Sequence, residues 1–234
     1  MIWFSVANIC LKWYNIIINL FWGIIMKINY QRVLDDTIKN LKSEKPTLLL
    51  HACCAPCSSY VLEYLNNYFD ITLYFYNPNI YPYKEFEFRA EELKRLVDEM
   101  KLDVKIVVEE YDNENFEAVA KAYADLPEGM TRCFNCYKLR LEKSVKYAKD
   151  NGFDFVTTTL SISPHKNAAK LNEIGGELAK KYGVEYLYSD FKKKNGYKRS
   201  CELSEQYNLY RQNYCGCVYS KVYNEKKNEE MQNK

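Results

Sequence analysis

The chain has 234 residues, 47% of them hydrophobic and 15% aromatic, which is enough to close one sizeable core and too apolar for a disordered chain. Lysine and arginine total 33 against 31 acidic residues, so the formal charge of +2 excludes a polycation, and a nucleic-acid partner would have to meet a local basic patch. Nine cysteines, an odd number, with seven gathered in HACCAPC, RCFNC and YCGC, exclude the spread-out framework of a small secreted domain and point to metal or redox chemistry in a reducing, cytoplasmic setting.

Residues 1–25 are strongly apolar, yet Asn8, Lys12, Asn15 and Asn19 fall inside the window and argue against a membrane span. A basic start and a small-residue cleavage site, the marks of a signal peptide, are both missing. Met26 opens MKINYQRVLDDTIKNLK like an ordinary cytosolic N terminus, so 1–25, with Cys10, is read as an upstream extension consistent with a mis-assigned start. A single catalytic α/β domain is expected over 26–220, followed by a charged tail over 221–234 whose end, NEKKNEEMQNK, should fray.

From Met26 the patterns alternate. A helix over about Asn29–Lys42 precedes a strand PTLLLHA, a helix SSYVLEYLNNY and a strand ITLYFYN. A loop PNIYPYKEF then leads to a helix EFRAEELKRLVDEM, a strand VKIVVEE, a helix around FEAVAKAYAD and the loop LPEGMTRC. The helix CYKLRLEKSVKYAKDNG, the strand FVTTTL, the helix AAKLNEIGGELAKKYG and a short strand VEYLYSD complete the alternation. Strands separated by helices predict βαβ units and a mainly parallel, Rossmann-like sheet with flanking helices. The remainder, YKRSCELSEQYNLYRQNYCGCVYS, is a small Cys/Tyr-rich segment expected to be one helix plus irregular chain.

In an open parallel sheet the functional crevice lies beyond the carboxyl ends of the strands, where PTLLLHA delivers Cys53, Cys54 and Cys57. Ser58 or Ser59 is the expected N-cap of the next helix, which would set the thiols at its positive end and favour thiolate. Cys53 and Cys54 can converge only if the strand has already become a loop. Cys133 and Cys136 form a C-x-x-C on one face at a helix start, able to share a metal or pair as a disulfide. A tetrahedral zinc fits an adjacent Cys-Cys pair poorly, whereas a 4Fe-4S cluster accepts neighbouring sulfurs on different irons, so the four-thiolate set favours iron-sulfur over zinc. Arg132 and Arg140 stand nearby to offset its negative charge. Cys215-Gly216-Cys217 reads either as a strained, redox-active disulfide with glycine supplying backbone freedom or as two unpaired thiols or a ligand pair. Cys201 reads as a passive thiol.

Jointly, LLLHACCAPCSSYVLEYL, YNPNIYPYKEFEFRAEELKRL, RCFNCYKLRLEKSVKYA, TTTLSISPHKN and YCGCVYS resemble epoxyqueuosine reductases of the QueH type, over about Lys45 to Ser220. The resemblance implies a HUP-like fold and the last step of queuosine biosynthesis, reduction of epoxyqueuosine to queuosine at the wobble position of tRNA. It implies 4Fe-4S ligands at Cys53, Cys54, Cys133 and Cys136, a redox-active disulfide of Cys215 and Cys217, and an electron donor. An additional iron beside the cluster is also implied, where some members carry Asp and this chain has Cys57.

For substrate contacts, Tyr76, Tyr81 and Tyr83 could stack on a splayed-out base, and Lys192, Lys193, Lys194, Lys198 and Arg199 could meet phosphates. His165 could protonate a leaving oxygen, and His51 is either a partner of the cluster or a satisfied core histidine. Two other classes compete. An ATP-dependent tRNA-thiolating enzyme needs a glycine-rich S-G-G-x-D-S loop after the first strand, where HACCAPCSS has no glycine. A zinc-stabilised RNA-binding module would use the same cysteines structurally.

Overall fold

The computed structural model describes residues 28–232, with side chains through residue 225. The extension 1–25 and Cys10 lie outside the described residues. Five strands, β1 (Thr47–His51), β2 (Asp70–Phe75), β3 (Lys105–Val108), β4 (Phe155–Thr158) and β5 (Glu185–Tyr186), form one sheet in the order β3-β2-β1-β4-β5. Every pairing is parallel. The helices are α1 (Tyr30–Lys39), α2 (Ala55–Leu65), α3 (Tyr83–Glu99), α4 (Asn113–Ala120), α5 (Thr131–Asp150), α6 (Ala168–Tyr182), α7 (Gly196–Gln206) and α8 (Val218–Gln232). Among the described residues, no helix is long and apolar enough to cross a membrane.

The central strand shows why the sheet is covered on both faces. Leu48 and Leu50 pack with Val61, Leu62 and Leu65 of α2 and Leu93 and Val97 of α3, while Leu49 packs with Leu141 and Val145 of α5 and Leu171 of α6. Two-sided burial is what a continuous apolar run, rather than an alternating one, produces in a parallel strand. Helix α2 meets α7 so closely that a Cβ on Gly196 would run into the Phe191 carbonyl and the Tyr60 ring.

Several boundaries differ from the sequence expectation. α2 begins at Ala55, and its N-cap is Cys54, not Ser58 or Ser59. Both serines lie within the helix and bond backwards, Ser58 Oγ to the Cys54 carbonyl at 2.8 Å and Ser59 Oγ to the Pro56 carbonyl at 3.0 Å. Pro56 in the first turn, where no helical N–H is needed, lets the helix start this early. α3 begins at Tyr83 and α5 at Thr131, so YKEF and TRCFN, expected as loop, are helical. The charged tail expected from residue 221 begins inside a helix. α8 runs unbroken across that point, docked through Asn224 Nδ2–H to the Asn213 carbonyl at 2.8 Å.

From β1 the chain passes through α2 to β2 and on to β3, then returns through α5 to β4 on the other side of β1, so the strand order reverses there and a crevice opens beyond the carboxyl ends of β1 and β4. His51 ties the three strands there. Its Nε2 lies 3.1 Å from the Tyr76 carbonyl and therefore carries the proton, leaving Nδ1 to accept from Thr158 Oγ1 at 2.9 Å. Burial first, and the Arg140 charge second, lower its pKa to about 3, so the ring is neutral. His51 is thus a satisfied core histidine. His51→Leu should strand the Tyr76 carbonyl and the Thr158 hydroxyl, lowering unfolding free energy by about 1–3 kcal/mol. An unchanged urea midpoint would show that the histidine does not tie the strands.

Candidate active site: thiols and unbalanced cations at the switch point

β1 ends at His51, so Cys53 and Cys54 lie past the strand, in the short stretch before α2, where neighbouring side chains are able to turn to one site. Cys53 and Cys54 place their sulfurs 3.7 Å apart, and with Cys57 in the first turn of α2 all three sulfurs lie within 4.8 Å of one another, a set able to hold a metal. Thiol hydrogen bonds from Cys54 and Cys57 hold the Cys53 pKa well below its ordinary value, and those of its two neighbours are raised. One thiolate stabilised by two S–H donors is the arrangement these shifts describe. Thr159 Oγ1 stands 3.6 Å from Cys53 Sγ, and Gln212 Nε2 donates to Cys54 Sγ at 3.1 Å.

Cys133 and Cys136 occupy the first turns of α5, whose N terminus carries no acidic residue. The Gly129 N–H donates to Cys133 Sγ at 3.2 Å. Burial raises the Cys133 pKa and pushes that of Cys136 up to about 11. These two sulfurs stand apart from the close triad among the described residues, lining a neighbouring hollow with Cys215 and Cys217. The triad side opens into a cavity of ≈ 460 Å³ lined by Cys53, Cys57 and Cys215. Glu128, Arg140, His165, Lys166 and Cys215 line both spaces, so the three cysteine clusters surround one crevice.

The loop bearing Cys215 and Cys217 is clamped from outside. Gly216 has φ +123° and accepts at its carbonyl from the Tyr81 N–H at 2.9 Å. Arg89 Nη1 reaches the Cys215 carbonyl at 3.4 Å, and its guanidinium lies 5.2 Å over the Tyr214 ring. The Ser220 N–H donates to Cys217 Sγ at 3.4 Å, while burial pushes that thiol up to about 12. All eight described cysteines are unpaired.

Charge is the unusual feature. The sequence has seven arginines, and Arg32, Arg89, Arg95 and Arg199 each pair with a carboxylate. The three without a carboxylate partner among the described residues, Arg132, Arg140 and Arg211, all line this crevice, together with Lys166. Glu128 is the only lining carboxylate among the described residues. Arg140 is 2% exposed and donates to Asn77 Oδ1, and its Nε, like Arg132 Nε and Arg89 Nη2, is buried without a partner. Burial opposes charge on Lys166, but the Cys215, Cys53 and Cys57 sulfurs outweigh it and hold its pKa above the ordinary value. Buried unpaired cations are costly unless an anion meets them, and beyond Glu128 the local source among the described residues is sulfur.

Several expected contacts fall elsewhere. Tyr76, Tyr81 and Tyr83 do not line the crevice, which instead presents Tyr197, Tyr214 and Tyr223. In the basic run, Lys192 pairs with Asp190, Lys194 with Asp35 and Arg199 with Glu63, so it is largely neutralised. His165 is exposed at the rim, and the neighbouring Lys166, which no local sequence signal marked, is the better enclosed. A Cβ at Gly216 would sit 3.1–3.2 Å from Arg89, Ile80 and Asn79 at a backbone angle that disfavours side chains. Gly216→Ala should therefore cost about 1–3 kcal/mol and speed alkylation of Cys215. Unchanged stability and labelling would mean the loop is not clamped.

The family profile described as "Epoxyqueuosine reductase QueH" matches residues 48–223. A protein of Streptococcus pyogenes serotype M1 named epoxyqueuosine reductase QueH is 43% identical over 200 residues, covering 83% of this chain and 78% of its own. The protein of that name in Staphylococcus epidermidis is 43% identical over 202 residues, covering 83% and 85%. The one in Thermotoga maritima is 36% identical over 191 residues, covering 80% of this chain and 97% of its own. The profile spans every strand of the sheet and all three cysteine clusters, and on that match this chain belongs to the QueH family of epoxyqueuosine reductases.

Proposed function

We propose that this chain reduces epoxyqueuosine to queuosine in tRNA, with Cys53, Cys54, Cys133 and Cys136 holding a 4Fe-4S cluster and Cys215 and Cys217 acting as a redox couple. The observation that carries this reading is the crevice itself, where thiols gather among five cations and Glu128 is the one lining carboxylate among the described residues. Donors aimed at Cys53, Cys54 and Cys133 suit sulfurs that carry negative charge. Cys57, within the same close triad, is the residue offered to an additional iron. When bound, such a cluster supplies electrons singly at low potential and the added iron a Lewis acid, which no ordinary side chain provides.

The chain's own residues account for the rest. Turning an epoxide into an alkene takes two electrons and two protons and releases the oxygen as water. Oxidation of the Cys215 and Cys217 thiols to a disulfide releases two electrons and two protons, so the exchange balances, and an electron donor must then reopen the disulfide. Burial keeps Cys217 in its S–H form, so it brings its proton with it. Lys166 stabilises charge growing on the oxygen as the C–O bond breaks. The tRNA must present its wobble nucleotide unstacked to reach thiols on the crevice floor.

The test is reduction of epoxyqueuosine tRNA, followed by nucleoside mass spectrometry. Replacing both Cys215 and Cys217 by Ser should abolish turnover while the iron content stays that of the unaltered protein. Loss of iron in that variant would make the pair ligands instead, and an unaltered protein that leaves the epoxide intact would sink the activity.

A further inference from the structure

We propose that the outer wall of the crevice is a nucleotide subsite in which Tyr197 and Tyr223 stack against an unstacked RNA nucleotide and Arg211 holds a phosphate beside it. The inference rests on the tRNA reading above and deepens it. All three side chains come from the part of the chain after the sheet, Tyr197 from the first turn of α7, Arg211 from the following loop and Tyr223 from α8. All three line the ≈ 460 Å³ cavity whose floor carries Cys53 and Cys57. That volume falls within the range of small-molecule sites and suits one nucleotide rather than a duplex.

The two rings are available in a way most aromatic residues here are not. Tyr197 is 37% exposed and Tyr223 51% exposed, and among the described residues neither ring stacks on another aromatic group or meets a cation. Tyr214, on the same wall, is already occupied, under Arg89 and hydrogen-bonded to the Tyr81 carbonyl at 2.8 Å. Arg211 stands apart from the other exposed arginines in the same sense. Arg32, Arg95 and Arg199 each have a carboxylate, whereas among the described residues Arg211 Nη1 donates only to Ser204 Oγ, at 3.1 Å. The second observation is inside the cavity, where buried Arg140 and Arg89 each keep a nitrogen without a partner. Guanidinium groups with free nitrogens beside free tyrosine faces are the chemistry that holds single-stranded nucleic acid, with charge on the backbone and rings on the bases.

The experiment is steady-state kinetics of the metal-loaded, full-length protein on epoxyqueuosine tRNA. The Tyr197→Ala/Tyr223→Ala pair should raise KM by roughly tenfold or more, and the Phe pair, which keeps both ring faces, should restore it. Arg211→Gln should raise KM and flatten its salt dependence by about 0.7 in log–log slope, the share of one single-strand phosphate, with Arg211→Lys intermediate. Unchanged KM in the Ala pair, an effect confined to kcat, or Phe variants as impaired as Ala would overturn the subsite. If the unaltered protein fails to reduce the tRNA, the activity reading fails separately. The subsite is then judged by fluorescence anisotropy with a labelled anticodon stem-loop, where weaker binding by the same Ala pair supports it and equal binding overturns it.

Discussion

Five cations, Arg89, Arg132, Arg140, Lys166 and Arg211, converge on a crevice whose walls offer one carboxylate among the described residues, Glu128. Arg140 and Arg132 are almost wholly buried, and a guanidinium withdrawn from water costs several kcal/mol unless an anion or a full set of acceptors replaces it. Arg132 finds three acceptors, the Tyr123, Ala124 and Leu126 carbonyls, and Arg140 finds Asn77, but neither is fully satisfied. On the proposed reading, sulfur on the floor and the substrate at the mouth supply what Glu128 does not. Most features of the site follow from that requirement: helix N termini without acidic first turns, N–H and O–H donors aimed at sulfur, and thiols drawn from three remote stretches of chain.

The fold makes this concentration of charge tolerable by holding it rigidly. His51 links β1 to β4 and to the end of β2 at the switch point, and Asn77 links the same region to both Arg140 and the Ala52 carbonyl. The hydrogen-bonded frame around the cysteines is therefore continuous with the sheet. The opposite wall, built from α7, the loop after it and α8, is fastened to the frame through Arg89, which spans Glu85, the Cys215 carbonyl and Tyr214. A rigid thiol floor with an aromatic and basic wall opposite it would let the proposed electron transfer and RNA contacts use separate surfaces of one cavity.

Much of the fold was legible in the sequence because its signals are local. PTLLL reads as a strand buried on both faces, and the alternation of strands with helices predicts the parallel sheet that is found. Convergence of Cys53 and Cys54 was legible too, since an adjacent pair can meet only past a strand end. Boundaries were less so. Pro56 started α2 earlier than the Ser-Ser pair suggested, and the polar composition of the C terminus concealed α8. What the sequence hid is the long-range part of the site. Arg89 looks like an ordinary polar position on an amphipathic helix, Lys166 follows a more conspicuous histidine, and the dense Lys/Arg run after Asp190 looks open although three of its members meet carboxylates, two of them from other segments.

The measurement that bears most directly on this account is iron and acid-labile sulfide content, with the visible absorption spectrum, of protein prepared without oxygen. A thiolate-held cluster balancing the buried cations predicts about four of each per chain, iron in excess if Cys57 serves a further ion, and a brown band bleached by dithionite. Zinc bound without sulfide, in colourless protein, would contradict it and leave the cysteines as a structural metal site on an RNA-binding fold.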